Sequence, residues 1–108
     1  MKINDLSIKT ETAYFEEDFI ILVESHLTKL RHSPNVRERD IEPLQSYKYT
    51  GDFYGLLDSL SIDKKYHFIV LRFNGYESSA DFKGEEELIL VPDFNEIELL
   101  KNIYVTRS

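Results

Sequence analysis

The sequence predicts an α+β fold in which a long N-terminal amphipathic helix precedes a core of two short antiparallel strands and two short helices. Apolar residues recur at helical spacing across residues 12–31, and the segments 46–50 and 88–91 have the composition of short strands. Gly51-Asp52 and Asn74-Gly75 are turn signals that separate the elements in between. At 108 residues the chain has the length of one domain with one core.

The N-terminal helix is predicted from Thr12 to Arg31. Its apolar positions follow one another mainly at intervals of three and four: Phe15, Phe19, Leu22, Val23, His26, Leu27 and Leu30. Thr10 or Thr12 can cap the first turn, and Ser33-Pro34-Asn35 ends the helix. The spacing places one apolar stripe along its length.

Ile20 and Ile21 widen the apolar surface of this helix beyond one stripe. A second apolar face either packs inside the domain or docks on a partner, and core packing is the favoured interpretation. The basic residues in and after the helix form either a cationic edge for an acidic neighbour or a solvated loop. The residues predicted to dock a partner are Phe15, Phe19, Ile20, Ile21, Leu27, Arg37 and Arg39.

The chain is acidic, with 13 lysines and arginines against 20 aspartates and glutamates and a formal net charge of −7. Such a surface repels phosphate backbones and anionic lipid headgroups, so neither nucleic acid nor a membrane is expected as a partner. There is no cysteine to form a disulfide or a thiolate metal site. Residues 1–5 lack the apolar region of a signal peptide, and we expect synthesis in a cytoplasm without one.

The middle of the chain alternates between polar links and short elements. Residues 36–43 are predicted as an extended or irregular link, and Ser46–Thr50 as a strand. Asp52 is predicted to cap a short helix, in which Gly55 costs about 1 kcal/mol against alanine. The apolar residues of that helix are Phe53, Leu56, Leu57 and Leu60.

The run Tyr66–Phe73 has two interpretations. It is rich in aromatic and β-branched residues and is followed by Asn74-Gly75, so local rules favour a strand that enters a hairpin. A run that is apolar almost throughout has no diagnostic periodicity, because a buried helix and a buried strand look alike. Local sequence alone leaves both interpretations open.

After the polar stretch 77–87, Leu88–Val91 is predicted as a strand that ends at Pro92-Asp93. Residues 96–102 are predicted to add one or two helical turns, and residues 103–108 a further strand. No internal repeat or long linker divides the chain. The predicted organisation is an N-terminal helix and linker (1–46), a central module (47–93) and a C-terminal docking tail (94–108).

Four motifs occur in a defined order: Tyr47-Lys48-Tyr49-Thr50-Gly51-Asp52, a short helix bearing leucines, an apolar segment ending in Asn74-Gly75, and Leu88-Ile89-Leu90-Val91-Pro92. This order resembles the LysM family, whose modules fold as βααβ. The resemblance implies that the apolar segment is a helix with a left-handed stop at Asn74-Gly75. It also implies that the helices bury Leu56, Leu57, Leu60, Ile69, Val70 and Phe73 against the two-stranded sheet.

LysM modules bind N-acetylglucosamine polymers in a shallow groove, in which aromatic faces stack on the sugar rings. The resemblance implies that the groove residues here are Asp52, Phe53, Tyr54, Asn74, Gly75 and Tyr76. The chain departs from the family pattern at Phe53, which stands where the family usually has threonine or serine, and in the longer, more acidic segment 77–87. The alternative is that Phe53 and Tyr54 are core or interface residues.

LysM-like domains also occur as structural parts of tailed-phage baseplate wedge and tail proteins, which are made in the host cytoplasm without a signal peptide. The similarity to that group implies a structural virion protein that contacts other tail or baseplate proteins, in several copies around a ring. One alternative is a module that binds peptidoglycan or another cell-wall glycan. Net charge alone suggests a third hypothesis, an acidic inhibitor of a basic host protein.

The sequence offers no pattern typical of an enzyme. The three histidines are scattered and lack metal-ligand spacing, and consecutive acidic residues such as Glu85-Glu86-Glu87 point to different sides. No nucleophile elbow or phosphate-binding glycine loop is present. We therefore expect no catalytic residues, no bound metal and no cofactor.

Overall fold

The computed structural model describes residues 16–107, apart from the side chain of residue 107. Over that range it contains six α-helices, two strands and two short 3-10 helices. In chain order these are α1 (Glu17–Ser25), α2 (Leu27–Arg31), β1 (Arg37–Asp40), α3 (Pro43–Lys48), α4 (Phe53–Ser59), the first 3-10 helix (Lys64–Tyr66), α5 (His67–Phe73), the second 3-10 helix (Ser79–Asp81), β2 (Leu88–Val91) and α6 (Phe94–Arg107). The predicted α+β class with a two-stranded antiparallel sheet is confirmed.

The N-terminal helical segment is two helices rather than one. Helix α1 ends at Ser25 and α2 starts at Leu27, and His26 between them has φ −105° and ψ 2°, outside the helical range. The ring Nδ1 of His26 lies 2.8 Å from the Leu22 carbonyl oxygen, where it occupies an acceptor at the end of α1. The predicted caps Thr10 and Thr12 lie outside the described residues.

The predicted strand Ser46–Thr50 is wrong, because this part of the chain belongs to helix α3 and the turn after it. Pro43 occupies the first turn of α3, where its missing N–H costs nothing and its fixed φ suits a helix. The alternation of polar and aromatic residues reflects a helix lying on the surface, with Tyr47 exposed and Ser46 buried. The strand that pairs with β2 is instead β1, inside the predicted irregular link 36–43.

The apolar run Tyr66–Phe73 is helical from His67 to Phe73, as helix α5. The interpretation of this run as a hairpin strand is therefore wrong. Gly75 has φ +83°, a conformation that glycine adopts without strain, and its N–H donates to the Arg72 carbonyl at 3.0 Å. The N–H of Tyr76 donates to the Leu71 carbonyl at 3.2 Å. These two bonds form a Schellman motif, the left-handed stop that the resemblance implied.

Two apolar clusters meet at β2. The first joins α4 and α5 to the inner face of the sheet, and contains Ile41, Phe53, Leu56, Leu57, Leu60, Ile62, Val70, Leu71, Phe82 and Ile89. The second joins α1, α2 and α6 to the other side of α5, and contains Phe19, Val23, Leu27, Leu30, Ile69, Phe73 and Ile97. Ile89 belongs to the first cluster, whereas its neighbour Leu90 packs on the second, because successive strand residues point to opposite faces.

Polar contacts attach the N-terminal helices to α5. The guanidinium of Arg31 donates to the last carbonyls of α5, from Nε to Phe73 O at 3.0 Å and from Nη2 to Arg72 O at 2.8 Å. Arg72 in turn pairs with Glu24 at 2.8 Å. A cation at the C-terminal end of a helix complements its dipole and satisfies its unpaired carbonyls.

The predicted C-terminal strand is wrong over residues 103–107, which continue helix α6. Helix α6 packs beside α1, and the Tyr104 hydroxyl donates to the carboxylate of Glu16. This hydrogen bond, together with burial and the charges of Glu16 and Asp18, raises the pKa of Tyr104 to about 12. The two ends of the described chain are therefore held together.

Candidate functional site

The six residues predicted to form a glycan groove lie at the start of α4 and directly after the end of α5. Asp52 caps α4, where its Oδ1 accepts from the Gly55 N–H at 3.0 Å. Gly75 is exposed beyond the end of α5. Tyr54 is half-buried and stacks on the His67 ring at 5.6 Å.

Phe53 was predicted to stack on a sugar, but its side chain is fully buried and exposes no ring face in this structure. Its ring packs against Tyr76 at 5.1 Å and against Phe82 at 5.6 Å. The alternative interpretation, in which Phe53 belongs to the core, is correct. An apolar residue at this position anchors the segment around Phe82 to the start of α4.

Tyr76 is also committed to internal contacts. Its hydroxyl donates to Glu86 Oε2 at 2.6 Å, and burial, followed by this hydrogen bond and the charge of Glu86, raises the pKa of Tyr76 far above its usual value. Burial alone would raise the pKa of Glu86, but hydrogen bonds from Tyr76 and from the N–H groups of Lys83 and Glu85 outweigh burial and lower it. The pair ties the segment 77–87 to the end of α5.

Both the nitrogen and the oxygen of the Asn74 carboxamide are hydrogen-bonded to backbone groups. Its Nδ2 donates to the carbonyls of Val70 at 2.8 Å and Leu90 at 2.9 Å, and its Oδ1 accepts from the Leu90 N–H at 2.8 Å. Asn74 therefore joins the end of α5 to β2. Of the six predicted residues, Phe53, Asn74 and Tyr76 have structural roles that leave little of their surface for a ligand.

The predicted docking residues are divided between core and surface. Phe19 and Leu27, both predicted to contact a partner, are buried in the second cluster and pack inside the protein. Ile20 is half-buried, whereas Ile21 on the same helix is 55% exposed. Phe15 lies outside the described residues. The helix thus buries its main stripe internally and leaves Ile21 outside.

Two exposed apolar patches were not predicted. The α3 patch consists of Leu44, 83% exposed, and Tyr47, 74% exposed, which are three residues apart on one helix face. The α6 patch consists of Leu99, 62% exposed, and Ile103, 48% exposed, beside an apolar groove of about 390 Å³ between α2 and α6. Apolar residues occur on more than one face of α6, so residue type alone does not distinguish the exposed Leu99 and Ile103 from the buried Ile97.

A wider groove, of about 1190 Å³, runs along β1. One wall is β1 itself, including Arg37 and Arg39, and the other is the chain after α4 from Leu60 to Asp63. Tyr66 and Phe94 close one part of it and stack on each other at 4.3 Å. The predicted docking residues Arg37 and Arg39 are thus both exposed at a groove.

The ionisable residues form no converging cluster within residues 16–107. No three or more histidine, aspartate or glutamate side chains are placed there to hold a metal ion. His67 Nε2 lies 2.8 Å from the Ile62 carbonyl oxygen, and His32 Nδ1 lies 2.7 Å from that of Thr28. Among the described helices, none combines the length and the hydropathy needed to cross a bilayer.

Comparisons of the chain with protein-family models, with curated protein sequences and with solved structures find no match. The geometry therefore carries the functional argument. It offers two exposed apolar patches, an open groove along a charged strand, and an aromatic cluster around Phe53 that serves the core.

Proposed function

We propose that this protein is a structural component of a tailed-phage virion, a LysM-like scaffold that holds neighbouring tail or baseplate proteins. Within residues 16–107, the surfaces suited to another macromolecule include apolar patches on α3 and α6 and the charged edge of β1. Such surfaces are typical of proteins that assemble with others.

The observation that carries the LysM-like part of the proposal is helix α5 with its stop at Asn74-Gly75. The resemblance required the apolar run to be helical, against its local propensity, and α5 is helical from His67 to Phe73. Asp52 caps the preceding helix, as the resemblance also required. The order of helix, helix, asparagine and closing strand supports a LysM-like arrangement.

The first strand is where the chain departs from the family. LysM modules place it directly before the Gly-Asp turn, whereas here α3 separates β1 from Gly51-Asp52. The pairing of β1 with β2 nonetheless keeps a two-stranded antiparallel sheet at the two ends of the helical segment. The proposal therefore concerns a LysM-like variant with an inserted helix.

The scaffold role is supported by the exposed patches. Leu99 and Ile103 lie on α6, at the groove between α6 and α2. Leu44 and Tyr47 project from α3. Burial of apolar surface stabilises a protein interface by about 25 cal/mol per Å² buried, so patches of this kind favour association. A glycan-binding role has less support, because Phe53 is buried and the polar groups of Asn74 and Tyr76 are occupied.

Mass spectrometry of purified virions encoded by the same genome tests the proposal. We expect peptides of this chain in amounts comparable to those of other tail proteins, and density for it in a reconstruction of the tail or baseplate. Virions that lack the chain would contradict the proposal. Co-sedimentation with peptidoglycan at high protein concentration, by contrast, would favour the glycan alternative.

Two patch variants identify the contact surfaces. Leu99→Lys with Ile103→Lys alters the α6 patch, and Leu44→Lys with Tyr47→Lys alters the α3 patch. Exposed substitutions of this kind usually change stability by about 0.5 kcal/mol or less, so both proteins should fold. At least one variant should fail to enter virions. Thr28→Lys with Asn102→Lys adds the same charge at exposed polar sites and should be incorporated normally.

A further inference from the structure

Strand β1 has one paired edge and one open edge. Arg37 lies opposite Val91 and Glu38 opposite Leu90, and the Ile41 N–H donates to the Glu87 carbonyl at 2.8 Å. In an antiparallel pair, hydrogen-bonded and non-hydrogen-bonded residue pairs alternate. The odd-numbered residues of β1 therefore bond to β2, and the N–H and C=O groups of Glu38 and Asp40 point away from it.

The other edge of the sheet is capped at Leu90. The N–H and C=O of Leu90, which point away from β1, are both bonded to the Asn74 carboxamide. Across residues 16–107 the sheet has no third strand, and the outward groups of Glu38 and Asp40 have no protein partner there. The sheet can be extended at β1.

The side chains of β1 separate charge by face. Arg37 and Arg39 lie on the face of Val91 and Ile89, and Glu38 and Asp40 lie on the opposite face. The wide groove runs along the strand and is lined by residues of both faces. All four residues are exposed, and none forms an ion pair with another described residue. One face of the open edge is thus basic and the other acidic.

This pattern disfavours a second copy of the chain as the added strand. A two-fold axis perpendicular to the sheet preserves its faces, so residues of one face meet only residues of the same face in the other copy. Arginine would then lie opposite arginine, and acidic residues opposite acidic residues. Like charges directly opposite each other destabilise a strand pair, which makes the edge unsuited to self-assembly.

We propose that the open edge of β1 binds an extended segment of a different protein in which acidic and basic side chains alternate. Backbone groups of that segment pair with Glu38 and Asp40, its acidic side chains face Arg37 and Arg39, and its basic side chains face the two acids. The groove beside the arginines gives room for these side chains. The inference rests on the proposed scaffold function and specifies one class of partner segment.

Nuclear magnetic resonance of the full chain with a short synthetic peptide of alternating lysine and glutamate tests the inference. The amide signals of Glu38 and Asp40 should shift on titration, and those of residues away from this edge should stay unchanged. A peptide of the same composition in separate lysine and glutamate blocks should bind about tenfold more weakly. A peptide methylated on all of its backbone nitrogens should not bind, because neither of its edges then has an N–H to donate to the ladder.

Charge variants make the test specific. Arg37→Glu with Arg39→Glu makes both faces acidic and should weaken binding of the alternating peptide about tenfold. Adding Glu38→Lys and Asp40→Lys to these changes gives a strand whose acidic and basic faces are exchanged. Binding should be restored, because the alternating peptide matches the exchanged faces when it moves along the strand by one residue. Lys48→Glu with Lys83→Glu changes net charge equally at distant exposed sites and should have little effect.

Several outcomes would overturn the inference. These are the absence of shifts at Glu38 and Asp40, equal binding of the methylated peptide, or protection of these two amides from hydrogen exchange in the free protein. Concentration-independent protection would mean that the chain's own residues occupy the edge, and protection that grows with concentration would mean a second copy. Peptide binding is measured without virions, so its failure is distinct from absence of the chain in virions.

Discussion

The carboxamide of Asn74 takes the place of a strand beside Leu90. It satisfies the N–H and the C=O of one β2 residue at once, as a neighbouring strand would, and also bonds the Val70 carbonyl within its own helix. One side chain therefore ends α5, fixes its position against the sheet and caps the outer edge of β2 at Leu90.

Replacing Asn74 should lower the free energy of unfolding more than is usual for a half-buried side chain of this size. Asn74→Ala leaves two half-buried backbone groups of Leu90 without partners and should lower the free energy of unfolding by about 2 kcal/mol. Asn74→Asp should cost at least as much, because a carboxylate cannot donate to the Val70 and Leu90 carbonyls. Urea denaturation measures both. Asn95→Ala, at an exposed site, is the control and should stay within about 0.5 kcal/mol of the parent.

Gly55 and Asp52 should be energetically coupled. A Cβ on Gly55 would lie 2.2 Å from Asp52 Oδ2, so Gly55→Ala displaces the carboxylate that caps α4. The gain of about 0.5–1 kcal/mol from alanine in a helix should be cancelled by a similar loss of the cap. In the Asp52→Ala background, Gly55→Ala should stabilise by about 0.5–1 kcal/mol. Equal effects in both backgrounds of the double-mutant cycle would contradict this coupling.

Ser61 is a strained residue that glycine should relieve. It has φ +62° and occupies the position after α4 that Gly75 occupies after α5, with the Ile62 N–H donating to the Leu57 carbonyl at 3.0 Å. Ser61→Gly should raise the melting temperature, for a gain of about 0.5–1 kcal/mol. The matched control is Gly75→Ala, where a Cβ meets no atom within 4 Å, and it should cost about 1 kcal/mol through backbone strain alone.

Acid should loosen the segment 77–87 before the core. The N–H groups of Ser78 and Glu77 lower the pKa of Asp81, and the hydrogen bonds described above lower that of Glu86. A lowered folded-state pKa means stability that is present above the unfolded values of 3.8 and 4.5 and is lost as pH falls through the folded values. Amide shifts of Ser78, Lys83 and Glu85 should therefore change together below about pH 4.

Glu86→Gln provides the control for this acid transition. It retains an acceptor for Tyr76 but removes the titrating charge, so the shifts of Lys83 and Glu85 should lose their pH dependence while that of Ser78 keeps it. Glu87→Gln, at an exposed site, should leave all three unchanged. A measured pKa of Glu86 at or above its ordinary value would contradict the expectation that its hydrogen bonds stabilise the charged carboxylate in the folded protein.

The sequence was informative where a residue's role is local. The caps at Asp52 and Asn74-Gly75, the strand at Leu88–Val91 and the apolar positions of α4 follow from short-range chemistry. Strand β1 could not be predicted, because its Arg-Glu-Arg-Asp sequence has no apolar alternation and only pairing with β2 makes it a strand. Helix α3 was missed because a polar and aromatic alternation outweighed Pro43 as a start signal.

The candidate site was less predictable than the fold. Phe53 and Tyr76 have the residue types of a sugar-stacking surface, but both rings pack against Phe82, which is distant in sequence from Phe53. The exposed apolar residues of α3 could be found only once the helix itself was known. Burial is set by tertiary packing, which residue type alone does not determine.

The pairing of β1 with β2 also has a kinetic consequence. Residues 37–40 and 88–91 are brought together across three α-helices and two 3-10 helices, so the sheet can form only after the chain has lost the entropy of closing that long loop. Helices α4 and α5, which contact each other directly, require much less ordering to meet. We therefore expect the ladder to form late in folding, so that substitutions which weaken it accelerate unfolding and leave the folding rate nearly unchanged.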